Sequence, residues 1–256
     1  MMVGDCIYKM YRQHKALVTG PDGLLAQALM REGHMRGHSI IPLTKYQLDI
    51  TSEEQVSTAL SYYQPSCVIN AAAFSNVDRA EEDEMAYEIN VRGPRNLGTV
   101  CQNMEIPLVH FSSVHVLRGQ EGVPMEEHAE VFPANVYAQS KYDGERAIQE
   151  VCSSYLLFRL GWLHGAGGRD FIDTFLEWCE RDTVYVSDDE FSTPTQTDHV
   201  ASVVYRGLEN RCRGVYHVAN RGYASRLQWA EELVRQMEIP VSLQGVSKDS
   251  FHLPAY

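Results

Sequence analysis

A tyrosine and a lysine, Tyr137 and Lys141, lie four residues apart. On a helix this spacing places both side chains on one face. The lysine ammonium can then lower the pKa of the phenol through space and hold a sugar-type hydroxyl beside it. A phenol in that setting is a usable proton donor near neutral pH. Chance produces the same spacing in many helices, as a half-exposed aromatic beside a solvated lysine, so the surrounding segments must decide between the two interpretations.

A glycine turn follows the first apolar run, residues 16–19. Gly20, Gly23 and Ala26 are three residues apart, and a helical pattern begins at Leu24. Gly20 allows a tight turn, Gly23 lets the backbone approach a pyrophosphate, and Ala26 lets the helix pack on the strand. The N–H groups at the helix start would face the phosphates. Glycine turns also open helices that bind nothing, but a position directly after the first strand favours a dinucleotide site.

The second predicted strand, residues 38–43, ends in Leu43-Thr44-Lys45. A site for NAD usually has an Asp or Glu here to hold the adenosine ribose. No carboxylate is present to repel a 2′-phosphate, and Lys45 is able to pair with one. The sequence therefore favours NADPH, with NADH as the alternative, although Lys45 also fits a solvated loop. Asp49 is a candidate for the adenine amino group or, equally, an ordinary turn residue.

Two further strands end in small or hydroxyl-bearing residues. Residues 66–70 run into three alanines, Ala71-Ala72-Ala73, which leave room for a ligand against the backbone. Residues 107–113 end in Ser112-Ser113. The carboxyl edge of an open α/β sheet is where such folds bind ligands.

The alternation of strand and helix patterns predicts an α/β fold, a Rossmann-type doubly wound parallel sheet with helices on both faces. Residues 15–165 are expected to form this domain. Residues 166–256 are expected to form a smaller C-terminal substrate-binding lobe that interleaves partly with it, and residues 1–14 a disordered extension. The helical pattern over residues 85–104 is expected to be interrupted at Gly93-Pro94, with the proline at a kink or at a restart of the helix.

Charge and composition limit the classes of partner. The 256-residue chain has a net charge of −12, which argues against a nucleic-acid partner or an anionic membrane surface. No apolar run approaches the roughly eighteen residues of a membrane span. Six scattered cysteines without a CxxC pair fit a reducing cytoplasm. Ten histidines show no HExxH or paired spacing, so no catalytic metal is expected.

These segments together resemble the extended form of the short-chain dehydrogenase/reductase family. The matching features are the glycine turn, Asn70 with the alanines after it, Ser112-Ser113 and Tyr137-x-x-x-Lys141, in this order. Within the family the resemblance is greatest to the dTDP-4-dehydrorhamnose reductases, over residues 68–81, 135–141, 158–162 and 191–195. It implies an NAD(P)H-dependent oxidoreductase that reduces a dTDP-4-keto sugar to dTDP-L-rhamnose, a polysaccharide precursor. A homodimer is compatible with it.

The resemblance also implies residue roles. Tyr137 would protonate the new alkoxide, Lys141 would lower the tyrosine pKa and hydrogen-bond the nicotinamide ribose, and Ser113 would orient the keto oxygen. Besides Tyr137 and Lys141, the cofactor would contact Gly20, Gly23, Leu24, Leu25, Lys45, Asp49, Ile50, Ala72, Ala73, Phe74 and Phe111. The substrate would meet Ser113, Val114 and Trp162.

Two departures from the family pattern concern the substrate. Where the family has Thr-Asp-Tyr, this chain has Ser113-Val114-His115. Val114 cannot hydrogen-bond a sugar, so the departure bears on substrate identity more than on hydride transfer. The chain ends at Leu253-Pro254-Ala255-Tyr256, before the family's final helix, so a shortened substrate lobe is expected.

Two other functions stay open at this point. One is a nucleotide-sugar epimerase or dehydratase of the same family; Ser113-Val114-His115 supplies no carboxylate, which argues against a dehydratase. The other is a non-catalytic, NADP-binding regulatory subunit, like the reductase-like β subunit of methionine adenosyltransferase. The Ser113, Tyr137 and Lys141 set favours an enzyme.

Overall fold

The computed structural model describes residues 15–119, 123–252 and 254–255, and the extension predicted over residues 1–14 lies outside them. The first part of the chain alternates strands and helices: β1 Lys15–Thr19, α1 Leu24–Met35, β2 Ser39–Leu43, α2 Glu53–Tyr63, β3 Cys67–Asn70, α3 Met85–Tyr87, α4 Gly93–Asn103, β4 Leu108–Ser113, α5 Val136–Val151 and β5 Tyr155–Leu160. The second part comprises β6 Leu163–His164, α6 Phe171–Trp178, β7 Thr183–Ser187, β8 Phe191–Ser192, β9 Thr195–Gln196, α7 Thr197–Glu209, β10 Gly214–His217, β11 Ala224–Ser225, α8 Arg226–Met237 and β12 Ser242–Val246. Short 3₁₀ helices lie at Arg79–Glu81, Val114–Val116 and Lys248–Phe251.

Six strands form one sheet in the order β10-β5-β4-β3-β1-β2. Every neighbouring pair in it is parallel. The chain leaves β1 for β2 on one side and then crosses to β3 on the other. Ligands bind at such a switch point in open α/β sheets. The predicted doubly wound parallel sheet is confirmed.

Two apolar clusters cover the two faces of the sheet. One includes Leu29 of α1 and Val204 of α7, and the other includes Leu60 of α2 and Ile148 of α5. Strands covered on both faces read as continuous apolar runs, which is why the strand pattern was visible in the sequence.

Residues beyond 165 contribute to both parts of the fold. Strand β10 extends the main sheet beside β5, and α7 lies in the apolar cluster that includes α1. Strand β7 pairs with β12, and a third cluster joins Phe175 of α6 to Val184, Val186 and Ala230. The domain boundary at residue 165 stays a prediction.

The helical segment over residues 85–103 is irregular one turn earlier than expected. A π-helical turn spans Glu88–Arg92, and α4 continues directly from it with Gly93 and Pro94 in its first turn. Pro94 has no N–H to donate to the Asn90 carbonyl, so the backbone widens before it while the helix continues. The predicted interruption is therefore present as a change of helix type that ends at Gly93, where the α-helix restarts, and not as a break in the helical segment. Among the described residues, no helix has the length and apolar character to cross a membrane.

Candidate active site

A cleft of about 1090 Å³ lies along the carboxyl edge of the sheet. Its walls come from the ends of β1, β3 and β4, from the first turn of α1, and from α5. Parallel strands end at one edge, so residues far apart in the chain meet here. The glycine turn and the Tyr137–Lys141 pair therefore open into a single cavity.

Three side chains meet where β4 ends against α5. The Asn135 side chain accepts from the Ala138 N–H at 2.8 Å and so caps the helix, which places Tyr137 in its first turn. A hydrogen bond joins the Tyr137 and Ser113 side chains. The Lys141 ammonium, one turn further on, donates to the Phe111 carbonyl at 2.7 Å. The helix cap and the end of β4 thus hold a hydroxyl, a phenol and an ammonium in one place.

Burial dominates the acid–base properties of this group. Desolvation lowers the pKa of Lys141 to about 8, and the charge of Glu145 opposes that change. Desolvation also raises the pKa of Tyr137, and the hydrogen bond with Ser113 only partly offsets it. The prediction of a net lowered Tyr137 pKa is therefore wrong for this arrangement. A phenol is protonated at neutral pH with or without this shift, and the raised pKa makes it a weaker acid.

The glycine turn has the shape that a pyrophosphate requires. Gly20 has a φ of +61°, and a Cβ there would lie 2.8 Å from the Ala72 Cα. The Gly23 N–H donates to the Gly20 carbonyl at 3.1 Å, and α1 begins at the next residue. The first N–H groups of a helix have no partner within it, so those of Leu24 and Leu25 are available to an anion. These residues fit a dinucleotide cofactor.

Gly20→Ala is expected to weaken NADPH binding by roughly tenfold or more, because the new methyl group meets backbone that cannot rotate away. Gly37→Ala is the matched control, since Gly37 also has a positive φ, +77°, but nothing lies within 4 Å of its Cβ position. Gly37→Ala should lower the free energy of unfolding only by the strain of a left-handed alanine, about 1–2 kcal/mol. Fluorescence titration with NADPH and thermal denaturation of both variants measure the two effects. Equal NADPH affinity in the two variants would contradict this explanation.

Most of the residues predicted for the site line the cleft: Gly20, Gly23, Leu24, Leu25, Lys45, Asp49, Ile50, Ala72, Ala73, Phe111, Ser113, Tyr137, Lys141 and Trp162. The Asp49 carboxylate accepts from the Thr51 N–H at 2.9 Å and the Thr51 hydroxyl at 2.8 Å, so it also stabilises a turn. In the described part of the chain, no three His, Cys, Asp or Glu side chains are grouped to hold a metal ion.

Two predicted residues lie outside the cleft lining. The Phe74 backbone is held by the Asn90 side chain, with its N–H donating at 2.9 Å, and its ring lies under the Arg79 guanidinium. The Val114 side chain is turned toward Gly161. The contacts predicted for Phe74 and Val114 stay predictions.

The cleft residues without a role assigned from the sequence include His115, Arg169 and Arg226. The His115 ring stands edge-on to the Tyr137 ring, with 5.9 Å between centroids. The Arg226 guanidinium lies 3.7 Å from the centre of the Trp162 ring, and Arg169 completes that end of the cleft. His115 was visible only as a departure from the family motif. The Ser225–Gln228 capping box marks the start of α8, but nothing local shows where its first residue, Arg226, points.

A family model described as the RmlD substrate binding domain matches residues 14–256. The chain belongs to this family. The predicted family resemblance is therefore confirmed, and the protein is a nicotinamide-dependent oxidoreductase of the extended short-chain dehydrogenase/reductase type.

Similar proteins carry reductase names. A dTDP-4-dehydrorhamnose reductase of Streptomyces griseus is 35% identical, over 83% of this chain and 72% of its own length. A dTDP-4-keto-6-deoxy-D-glucose reductase of Streptomyces niveus is 31% identical, over 82% of this chain and 74% of its own. The structure of a Bacillus anthracis dTDP-4-dehydrorhamnose reductase in complex with NADP has a TM-score of 0.92 and 30% identity, covering 95% of this chain and 88% of that one. These findings support NADPH as the cofactor of this RmlD-family protein, with NADH as the alternative.

Proposed function

We propose that the protein reduces the 4-keto group of a nucleotide-activated deoxy sugar, with conversion of dTDP-4-dehydrorhamnose to dTDP-L-rhamnose as the first candidate. The observation that carries this proposal is the convergence of Ser113, Tyr137 and Lys141 in the same cleft as the glycine turn. The names of the relatives at 30–35% identity support the same reaction class. We further propose a cytoplasmic enzyme; the homodimer stays a prediction.

The side chains divide the work of carbonyl reduction. The cofactor, when bound, supplies the hydride. Tyr137 and Ser113, hydrogen-bonded to each other, present two hydroxyl groups to one carbonyl oxygen, so Ser113 orients that oxygen and Tyr137 transfers its phenolic proton to it. Lys141 has further N–H donors beyond the one bound to the Phe111 carbonyl, and these would hold the nicotinamide ribose.

A second cavity supports a nucleotide-bearing substrate. It measures about 520 Å³, and Arg226 lies on the walls of both this cavity and the cleft. Its lining combines the aromatic rings of Phe171 and Trp178 with the cationic Arg181 and Lys248. Aromatic faces stack on bases, and guanidinium and ammonium groups pair with phosphates. A sugar held at Tyr137 would thus have its nucleotide directed past Arg226.

The proposal is tested with a coupled assay that generates dTDP-4-keto sugars in situ and follows the loss of reduced-nicotinamide absorbance. We expect one NADPH to be consumed for each sugar reduced, and the Streptomyces niveus relative makes dTDP-4-keto-6-deoxy-D-glucose the second sugar to test. Sugar conversion without net NADPH consumption would instead show an epimerase. Tight NADPH binding without reduction of any keto sugar, together with a co-purifying protein, would show a regulatory subunit.

Cofactor preference is expected to depend on Lys45, which lies in the cleft lining after β2 with its ammonium 5.2 Å from the centre of the Tyr46 ring. Lys45→Ala should weaken NADPH binding several-fold, about 1 kcal/mol, and leave NADH binding unchanged, because only NADPH carries the 2′-phosphate. Calorimetric titration of wild-type protein and variant with both cofactors measures this. An equal loss for both cofactors would show that Lys45 does not contact the 2′-phosphate.

A further inference from the structure

A buried ion pair lies one helical turn beyond Lys141. Glu145 on α5 is 1% exposed, and Arg159 on β5 is 4% exposed. The two groups form a bidentate contact, with the Arg159 Nε and Nη2 donating to the two Glu145 carboxylate oxygens at 2.9 and 2.7 Å. This geometry fixes the Glu145 carboxylate in one orientation between the helix and the sheet.

This buried ion pair has a high desolvation cost compared with apolar residues in the same space. Burying two charges costs several kcal/mol of solvation for each ion, and apolar residues of similar volume often give equal or higher stability. Glu145 is four residues after Lys141, so both side chains share one face of α5. Lys141 is itself 3% exposed. The Lys141 ammonium, the Glu145 carboxylate and the Arg159 guanidinium therefore follow one another beneath α5. Lys141, at one end of this series, lines the cleft.

We propose that Glu145 and Arg159 are positioning residues that set the charge of Lys141, and through it the pH range in which Tyr137 and Lys141 work. The Glu145 carboxylate holds the buried ammonium in its charged form. Arg159 forms an ion pair with Glu145 and so weakens the electrostatic stabilisation that Glu145 gives to the Lys141 ammonium. This inference rests on the proposed reductase function for its link to turnover, but not for its effect on Lys141.

The groups around Lys141 support this arrangement. Burial lowers the pKa of Lys141, and Glu145 is the group that raises it. From β4, His110 faces the lysine, and burial together with the Lys141 charge holds the His110 pKa far below its usual value, so this imidazole is neutral. Beyond Arg159, the Glu127 carbonyl accepts from its Nη1 at 3.1 Å, and the His217 ring from β10 lies 3.4 Å away.

The direct test is a pH titration of ¹³Cε-labelled lysine by NMR. The chain has five lysines, and Lys141→Arg identifies the Lys141 signal by its loss. Glu145→Gln should lower the pKa of Lys141 by about one pH unit or more, whereas Arg159→Gln should raise it. Opposite signs separate an electrostatic role from general damage, because both substitutions destabilise the fold. Shifts in one direction for both variants, or none, would overturn the proposal.

Two matched variants complete the design. Glu150→Gln on the same helix removes the exposed pair with Arg95, with both side chains 52% exposed, and should leave the Lys141 titration unchanged. Glu145→Asp keeps the charge one methylene further away, so it serves if Glu145→Gln does not fold, with a smaller lowering expected. The proposal would be contradicted if Glu145→Asp did not lower the pKa of Lys141. It would also be contradicted if Glu150→Gln shifted that pKa as much as Glu145→Gln does.

The second readout is the pH dependence of turnover. Removing a negative charge near the couple lowers the pKa of both Tyr137 and Lys141, so the alkaline limb should move to lower pH in Glu145→Gln and to higher pH in Arg159→Gln. If the NMR titration of Lys141 shifts but the alkaline limb of the turnover–pH profile does not, the link to catalysis is overturned. The NMR experiment needs no substrate, so absence of reductase activity would refute the proposed function separately.

Discussion

Tyr137→Phe is expected to lower turnover by roughly a hundredfold or more while leaving NADPH affinity unchanged, because in the proposed mechanism the phenol supplies the proton and little of the cofactor contact. The phenylalanine ring keeps the edge-on contact with His115 and the place of the residue in the first turn of α5. Only the hydroxyl bonded to Ser113 is lost. The defect should therefore appear in kcat, and it should persist at saturating substrate.

A matched control comes from the same helix. Tyr142 lies on α5 outside the cleft lining, so Tyr142→Phe should retain near-normal turnover. Steady-state assays with the dTDP-keto sugar and fluorescence titration with NADPH measure the two effects separately. Normal turnover in Tyr137→Phe, or an equal loss in Tyr142→Phe, would remove Tyr137 from its proposed role.

Gly144→Ala is expected to destabilise the fold by about 3 kcal/mol, although Ala at an open helix position stabilises by about 1 kcal/mol relative to Gly. A Cβ at Gly144 would overlap the Asn90 carbonyl oxygen. That oxygen belongs to the π-helical turn Glu88–Arg92, and the Asn90 side chain is already bonded to the Phe74 backbone and the Ser140 hydroxyl. Backbone held at several points cannot rotate away, so α5 must move.

The comparison variant is Gly207→Ala on α7, where the new Cβ would meet the end of the Leu156 side chain at 2.8 Å. A leucine methyl can rotate, so the loss there should be smaller. Urea unfolding gives the two free energies. Because α5 carries Tyr137 and Lys141, Gly144→Ala should also reduce turnover in the protein that remains folded. Stability equal to wild type would show that the contact with Asn90 is easily relieved.

The motifs that could be predicted from the sequence are those that depend on interactions between residues close together in the chain. A glycine at a tight turn, a capping residue before a helix and a Tyr–Lys spacing depend on neighbours within a few residues. Gly20, Gly23 and Tyr137 therefore lie in the cleft as predicted. The parallel sheet was likewise predictable, since buried strands alternating with helices leave few other topologies.

The features that the sequence did not reveal depend on contacts between distant segments. The Tyr137 pKa depends on how completely the sheet, helix and loop exclude water, and spacing alone carries no information about desolvation. Asn90, in the widened turn Glu88–Arg92, is bonded through its side chain to the Phe74 backbone, 16 residues away in the chain. The direction of Val114 depends on its packing against Gly161, which is distant in the chain.

The sequence by itself determined the family, the α/β fold and the motifs that we propose transfer a proton beside a dinucleotide. The tertiary structure decided which of those residues reach a common cleft, that Arg226 joins two cavities, and that Glu145 and Arg159 lie together beneath Lys141. The physical reason is the separation along the chain of the residues that interact. Turns, caps and helix faces follow from a few consecutive residues, whereas desolvation and the pairing of charges 14 residues apart on different elements follow only from the packed whole.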